Sequence, residues 1–185
     1  MSLKRVVILF SGDGSNMVNL VKKLHNKSVN IVKTITNNPQ AKGIEKSNSF
    51  GVDVLVLDHK KFSSREEYDK ALVKEILALK ADLVVLAGFM RILTPIFTAT
   101  LKAINIHPSL LPLYKGANAL NRSYEGVEKI VGVTTHLVSD ELDGGEIIMQ
   151  KSFDKSLLSF EDFKEQIHQC EYDIFPRSII KILKD

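Results

Sequence analysis

Asn105 and His107 stand two residues apart in INIHPSLLP, an apolar run that ends in a loop bracketed by prolines. Read as a strand, this run turns alternate side chains to one face, so the amide and the imidazole lie about 7 Å apart on the same side. An amide can donate to a developing oxyanion, and an imidazole moves a proton near neutral pH. Pro108 and Pro112 stiffen the following loop and would hold the ring's aim. A strand-end histidine can also do no more than satisfy backbone groups, so a carboxylate partner matters. The stretch SDELDGGE offers Asp140, Glu141, Asp143 and Glu146, and Asp143 directly precedes Gly144-Gly145, where a sharp bend lets backbone approach a ligand. The Asp-Gly pair suits a solvated hairpin turn almost as well.

A second cluster lies in LFSGDGSNMVNLVKKL, a strand, a glycine-rich turn and a helix in succession. Gly12 and Gly14 allow tight backbone geometry, and Ser15 and Asn16 are suited to cap the helix, whose free N–H groups would then point out of the strand's carboxyl end. The third glycine of G-x-G-x-x-G and the Gly-Lys-Ser/Thr of a P-loop are both missing. A monophosphate therefore fits better than a dinucleotide or a triphosphate, with a plain capped turn as the alternative.

The elements that must position these residues alternate. Apolar runs at 5–10, 30–35, 52–57, 82–87 and 103–106 read as strands, the run at 82–87 apolar on successive residues as in a sheet covered on both faces. Ser64 and Glu67 have capping-box spacing ahead of Tyr68, Leu72, Ile76 and Leu79, which predicts a helix. Past residue 128, KIVGVTTHLVS and GEIIMQKSF alternate about a tight acidic turn, DELDG. Ser159 and Asp162 open a last helix with Phe160, Phe163, Ile167, Cys170 and Ile174 on one stripe, which Pro176 is expected to kink or interrupt. The pattern predicts one α/β domain over residues 1–185: a doubly wound, mostly parallel sheet with an antiparallel C-terminal extension.

Composition narrows the function classes. Hydrophobic residues make up 44% and charged residues 25% of 185, an ordinary globular balance, and the net charge of +3 is spread rather than gathered into a stripe that would suggest nucleic acid. The five apolar residues at 6–10 are too few for a leader's core, and no run is long enough for a membrane span. Cys170 is the single cysteine, which fits a reducing compartment, and it reads as a packed thiol in a cytoplasmic protein. The five histidines show no zinc-type spacing, and no metal is expected.

SGDGSN, AGFMRIL, INIHPSLLP and GVTTHLVSDELDGGEII stand in the order and spacing of the phosphoribosylglycinamide formyltransferases, and the resemblance runs from Lys4 to about Pro176. It implies a Rossmann-like formyltransferase fold and transfer of a formyl group from 10-formyltetrahydrofolate, as co-substrate, to the amine of glycinamide ribonucleotide in purine synthesis. Asn105 and His107 would stabilise the tetrahedral oxyanion, with His107 also delivering a proton and Asp143 favouring its charged form. Gly14, Ser15 and Asn16 match the phosphate loop, Glu171 matches an acidic residue near the substrate, and His168 stands where relatives often carry Lys or Gln. Met90, Arg91, Ile92 and Leu93 match a segment whose backbone reads the pterin, Ser139, Asp140, Glu141, Leu142 and Asp143 the loop across from it, and Arg65 a residue near the folate tail.

The resemblance has departures. Tyr172 follows Glu171 where a His is common, and YKGANAL (114–120) is more like the Gly-Ala run of methionyl-tRNA formyltransferases. Those enzymes are expected to be longer, as are sugar-nucleotide formyltransferases, and formyltetrahydrofolate hydrolase is expected to carry a further N-terminal domain. A non-catalytic nucleotide-binding module is the reading from another class.

Overall fold

A computed structural model describes residues 2–184; Met1 and Asp185, the ends of the expected domain, lie outside the described residues. In chain order the elements are β1 (Arg5–Phe10), α1 (Ser15–Leu24), β2 (Asn30–Thr36), α2 (Gly43–Ser49), β3 (Val54–Val56), α3 (Arg65–Ala78), β4 (Leu83–Leu86), α4 (Pro95–Thr98), β5 (Ala103–His107), α5 (Ala119–Glu125), β6 (Ile130–Leu137), β7 (Ile147–Asp154) and α6 (Phe160–Lys184). They form one seven-stranded sheet in the order β3-β2-β1-β4-β5-β6-β7. β1 to β5 pair in parallel, while β6 and β7 add on antiparallel, which is the expected fold class.

The strands at the sheet's centre are apolar throughout because both faces are covered. Val6, Ile8 and Phe10 of β1 pack with Leu20 of α1 and Ile174 of α6, whereas Val7 and Leu9 pack with Leu72 and Ile76 of α3. In β5, Ile104 and Ile106 join the α1/α6 side and Ala103 joins the α3 side. Asn105 and His107 alternate with Ala103 and therefore face the α3 side.

Two local expectations need adjustment. Ser64 caps α3, its hydroxyl accepting from Glu67 N–H at 3.2 Å, but the Glu67 carboxylate returns to the N–H and hydroxyl of Ser63. The segment between β6 and β7 spans residues 138–146, longer than a tight hairpin turn.

Pro176 does not interrupt α6. A proline here leaves the carbonyl four residues earlier, that of Tyr172, without its helical donor. Asn19 Nδ2 (3.2 Å) and Lys23 Nζ (2.7 Å) of α1 supply replacement donors.

The chain runs outward from β1 through β2 and β3, then returns to the other side of β1 for β4. Ligands in such sheets bind outside the carboxyl ends of the strands at this reversal. Here those ends are residues 11–14 and 87–94, beside β5.

Gly132 lies where β6 meets β7, and a Cβ there would stand 2.0 Å from Lys151 O. Gly132→Ala is expected to cost about 2 kcal/mol or more through forced separation of the strands. A thermal or denaturant melt checks this, and an unchanged midpoint would show that the pairing yields freely.

Candidate active site

Register brings Asn105 and His107 into their group. β5 and β6 pair with Asn105 opposite His136 and His107 opposite Thr134, so Asn105, His107 and His136 share one face. The loop after β6 starts beside Ala103, with Val138 N–H donating to Ala103 O, and folds back so that Asp143 reaches the two rings. Asp143 Oδ2 lies 3.4 Å from His107 Nδ1, and Oδ1 lies 3.5 Å from His136 Nε2. The Gly116 N–H donates to Asp143 Oδ2 at 2.8 Å. All three of these side chains are buried, Asp143 being only 7% exposed.

The fold-back demands local geometry. Asp143 has φ +50°, a left-handed conformation that Asp tolerates better than most residues. Gly145 has no alternative, since a Cβ would stand 1.7 Å from Leu137 O. Thr98 of α4 donates to Asp140, and Lys115 pairs with Glu141 at 2.6 Å across the surface.

His107 Nε2 lies 2.9 Å from Tyr114 O, so this nitrogen carries the ring's proton. The turn that delivers Tyr114 is itself tied to the sheet. Thr134 Oγ1 donates to Ser109 O and accepts from Leu111 N–H, and Gln150 donates to Leu111 O.

Burial is the largest influence on His107 and pushes its pKa below the ordinary value, against the Tyr114 carbonyl and the Asp143 charge, which both favour imidazolium. The carboxylate moves the pKa toward the charged form, the expected direction, but desolvation outweighs it. Burial also works to raise the pKa of Asp143, yet His136, the Gly116 N–H and the imidazole charges together hold it below the ordinary value.

His136 is the residue that sequence reasoning missed. Its Nδ1 lies 2.8 Å from Leu137 O and its Nε2 lies 3.2 Å from Asn105 Nδ2. With Nδ1 donating to the Leu137 carbonyl, Nε2 is left to accept from Asn105. The alternation of GVTTHLVS was visible, but only the register identifies His136 as the neighbour of Asn105.

The glycine-rich turn departs from expectation in detail. Gly14 itself is the N-cap of α1, at φ +69°, and neither Ser15 nor Asn16 provides a side-chain cap. A Cβ on Gly14 would meet Met17 at 2.9 Å, whereas one on Gly12 would meet nothing within 4 Å. The N–H groups of Ser15, Asn16 and Met17 find no acceptor among the described residues. Asn16 donates through Nδ2 to Glu171 Oε2 at 2.9 Å, and its Oδ1 is buried without a partner. His168 Nδ1 lies 3.1 Å from the same Glu171 oxygen. That contact raises the His168 pKa more than burial lowers it. Gly14, Ser15, Asn16, His168 and Glu171 are thus one group.

Met90, Arg91, Ile92 and Leu93 follow β4, Met90 being 78% exposed and Ile92 55%. The Arg91 guanidinium lies over the Tyr68 ring, 5.4 Å from its centroid, instead of extending into solvent. Arg65 opens α3 on the exposed surface and makes no ion pair among the described residues. Among the described residues no group of three or more His, Cys, Asp or Glu side chains could hold a metal ion.

This geometry defines an α/β enzyme site with an amide, an imidazole and a carboxylate aimed at one place. Comparison with known proteins then gives the family. A family model described as Formyl transferase matches residues 4–179, and the chain belongs to that family. The chain is 35% identical to the phosphoribosylglycinamide formyltransferase of Haemophilus influenzae, over 94% of its own length and 84% of the relative's. It is 36% identical to the trifunctional purine biosynthetic protein adenosine-3 of Drosophila melanogaster, of which it spans 14%, and it spans 18% of the human protein of that name. The crystal structure of phosphoribosylglycinamide formyltransferase from Campylobacter jejuni superposes with a TM-score of 0.95 at 50% identity, over 98% of each chain.

The His107 pKa gives a direct test of the buried group. In an NMR titration the His107 midpoint is expected below the ordinary value of about 6.5. In Asp143→Asn it is expected lower still, because a charge that favours imidazolium is gone. A midpoint that stays in place would show that the two residues are uncoupled.

Proposed function

We propose that this chain transfers the formyl group of 10-formyltetrahydrofolate to the amine of glycinamide ribonucleotide, a step of purine synthesis, acting as one formyltransferase unit over residues 1–185 in the cytoplasm. The observation that carries the reading is the presence, on one formyl transferase fold, of a carbonyl-directed centre and a helix start with free N–H groups. A phosphate fits that helix start without a cation. The unpartnered Asn16 Oδ1 suits a donor such as a sugar hydroxyl, and Glu171 lies beside it. Arg65, the backbone of Met90 to Leu93 and the loop Ser139 to Asp143 are assigned to the folate. No helix among the described residues is long and apolar enough to cross a membrane.

The chemistry follows from the protonation states. The amine attacks the formyl carbon and its oxygen becomes an oxyanion. One Asn105 N–H is engaged by His136, and the other is left for the oxyanion. The acceptor displaces the Tyr114 carbonyl from His107 Nε2, and the ring's proton moves to Nδ1 to face Asp143. Nε2 is then a base for the proton that the attacking nitrogen loses. The imidazolium formed next to Asp143 returns a proton to the folate nitrogen as the C–N bond breaks. A new C–N bond has replaced the old one, and tetrahydrofolate leaves.

Purified protein is expected to form tetrahydrofolate only when glycinamide ribonucleotide is supplied. Equal turnover with water would identify a hydrolase, and turnover confined to methionyl-tRNA would overturn the assignment. Gly14→Ala is expected to weaken acceptor binding while sparing folate, as read by calorimetry.

Turnover is expected to fall as pH drops through the depressed His107 pKa, because the neutral ring is the base. Asp143→Asn is expected to lose about a hundredfold in turnover. A rate that is flat across this acid range would remove His107 from the proton path.

A further inference from the structure

The segment between β4 and α4 has an unusual backbone. The N–H and C=O groups of Arg91, Ile92 and Leu93 make no hydrogen bond among the described residues, although Leu93 and Arg91 are only half-exposed. Unpaired backbone of this kind offers donors and acceptors to a planar heterocycle with a lactam-type edge. Such backbone reads a ligand only if it is held still, and its own middle supplies no bonds to hold it.

Both ends are gripped by buried side-chain oxygens from other elements. At one end the Ser11 hydroxyl accepts from Met90 N–H at 2.7 Å and donates to Asn37 Oδ1 at 2.6 Å. Ser11 and Asn37 are 8% and 3% exposed, and the Ser11 N–H donates to Gly88 O at 3.0 Å. At the other end the Asp69 carboxylate accepts from Thr94 N–H at 2.6 Å, with Asp69 2% and Thr94 5% exposed. A carboxylate buried this deeply on α3 carries a desolvation cost, and its resolved bond goes to the loop.

We propose that Ser11 and Asp69 are positioning residues that stretch residues 90–94 into a fixed backbone edge for the formyl donor's heterocycle. Neither touches the donor. Each acts through one peptide N–H, at the two ends of the edge. The proposal rests on the donor being a formyl-folate.

The test is steady-state kinetics on Ser11→Ala and Asp69→Ala, with Ser11→Thr and Asp69→Asn as variants that keep an acceptor oxygen for the same N–H. The alanine variants are expected to raise the donor KM about tenfold or more, with kcat and the acceptor KM within about threefold. The conservative variants are expected to recover most of the loss. Faster amide hydrogen exchange at Met90 in Ser11→Ala and at Thr94 in Asp69→Ala should accompany the change. A donor KM that stays within twofold, or donor and acceptor KM values that rise together, would overturn the proposal. If Asp69→Ala does not fold, Ser11→Ala and its threonine partner decide alone. Absence of turnover with 10-formyltetrahydrofolate in the unaltered protein would instead sink the underlying reading.

Discussion

A carboxylate taken out of water has to be met by donors, and the arrangement around Asp143 follows from that requirement. Its neighbours come from three separate places: the Gly116 N–H from the turn after β5, His107 from β5 and His136 from β6. None of them can be moved alone. His136 is fixed opposite Asn105 by strand pairing, Gly116 by a turn whose Tyr114 and Lys115 carbonyls accept from Arg122, and Asp143 by a fold-back that admits only glycine at position 145. The loop at 138–146 is therefore part of the site, and a plain hairpin turn would leave any imidazolium formed at His107 without a counter-charge.

The same strand serves the core and the chemistry by dividing its faces. Ile104 and Ile106 bury themselves against the α1/α6 side, which anchors β5 between β4 and β6. Asn105 and His107 use the opposite face, where the small Ala103 and the fold-back loop leave room for polar side chains. Burial on that face also sets the protonation state. Desolvation strong enough to override both Asp143 and the Tyr114 carbonyl leaves a neutral ring, the form a base requires.

Much of this was legible in the sequence because the signals are local. Strands covered on both faces are apolar on successive residues, the helix after Ser64 announces its cap, and Asn105 and His107 declare a shared face by alternation. What stayed hidden depends on partners distant in the chain. His136 gains its meaning from the register with β5, and Asn16 meets Glu171 across 155 positions. Pro176 looked like a helix breaker because the donors that replace its missing N–H lie on α1. The direction of the His107 pKa shift could not be read either, since a neighbouring carboxylate and burial oppose each other and only the folded geometry shows which is larger.

The group around Glu171 poses the remaining electrostatic question. A buried carboxylate next to a helix start proposed to hold a phosphate should repel it. Two contacts soften that repulsion. Asn16 donates to Glu171 Oε2 and spreads its charge, and His168 faces the same oxygen with its pKa raised, so the ring stays protonated to higher pH than a free imidazole. The pair His168–Glu171 then presents little net charge while the ring is protonated, and the free N–H groups of α1 dominate the local field. A lysine at position 168 would keep its charge at any physiological pH, whereas the histidine keeps it through Glu171. The cation near the proposed phosphate loop thus depends on the carboxylate that would otherwise oppose the ligand.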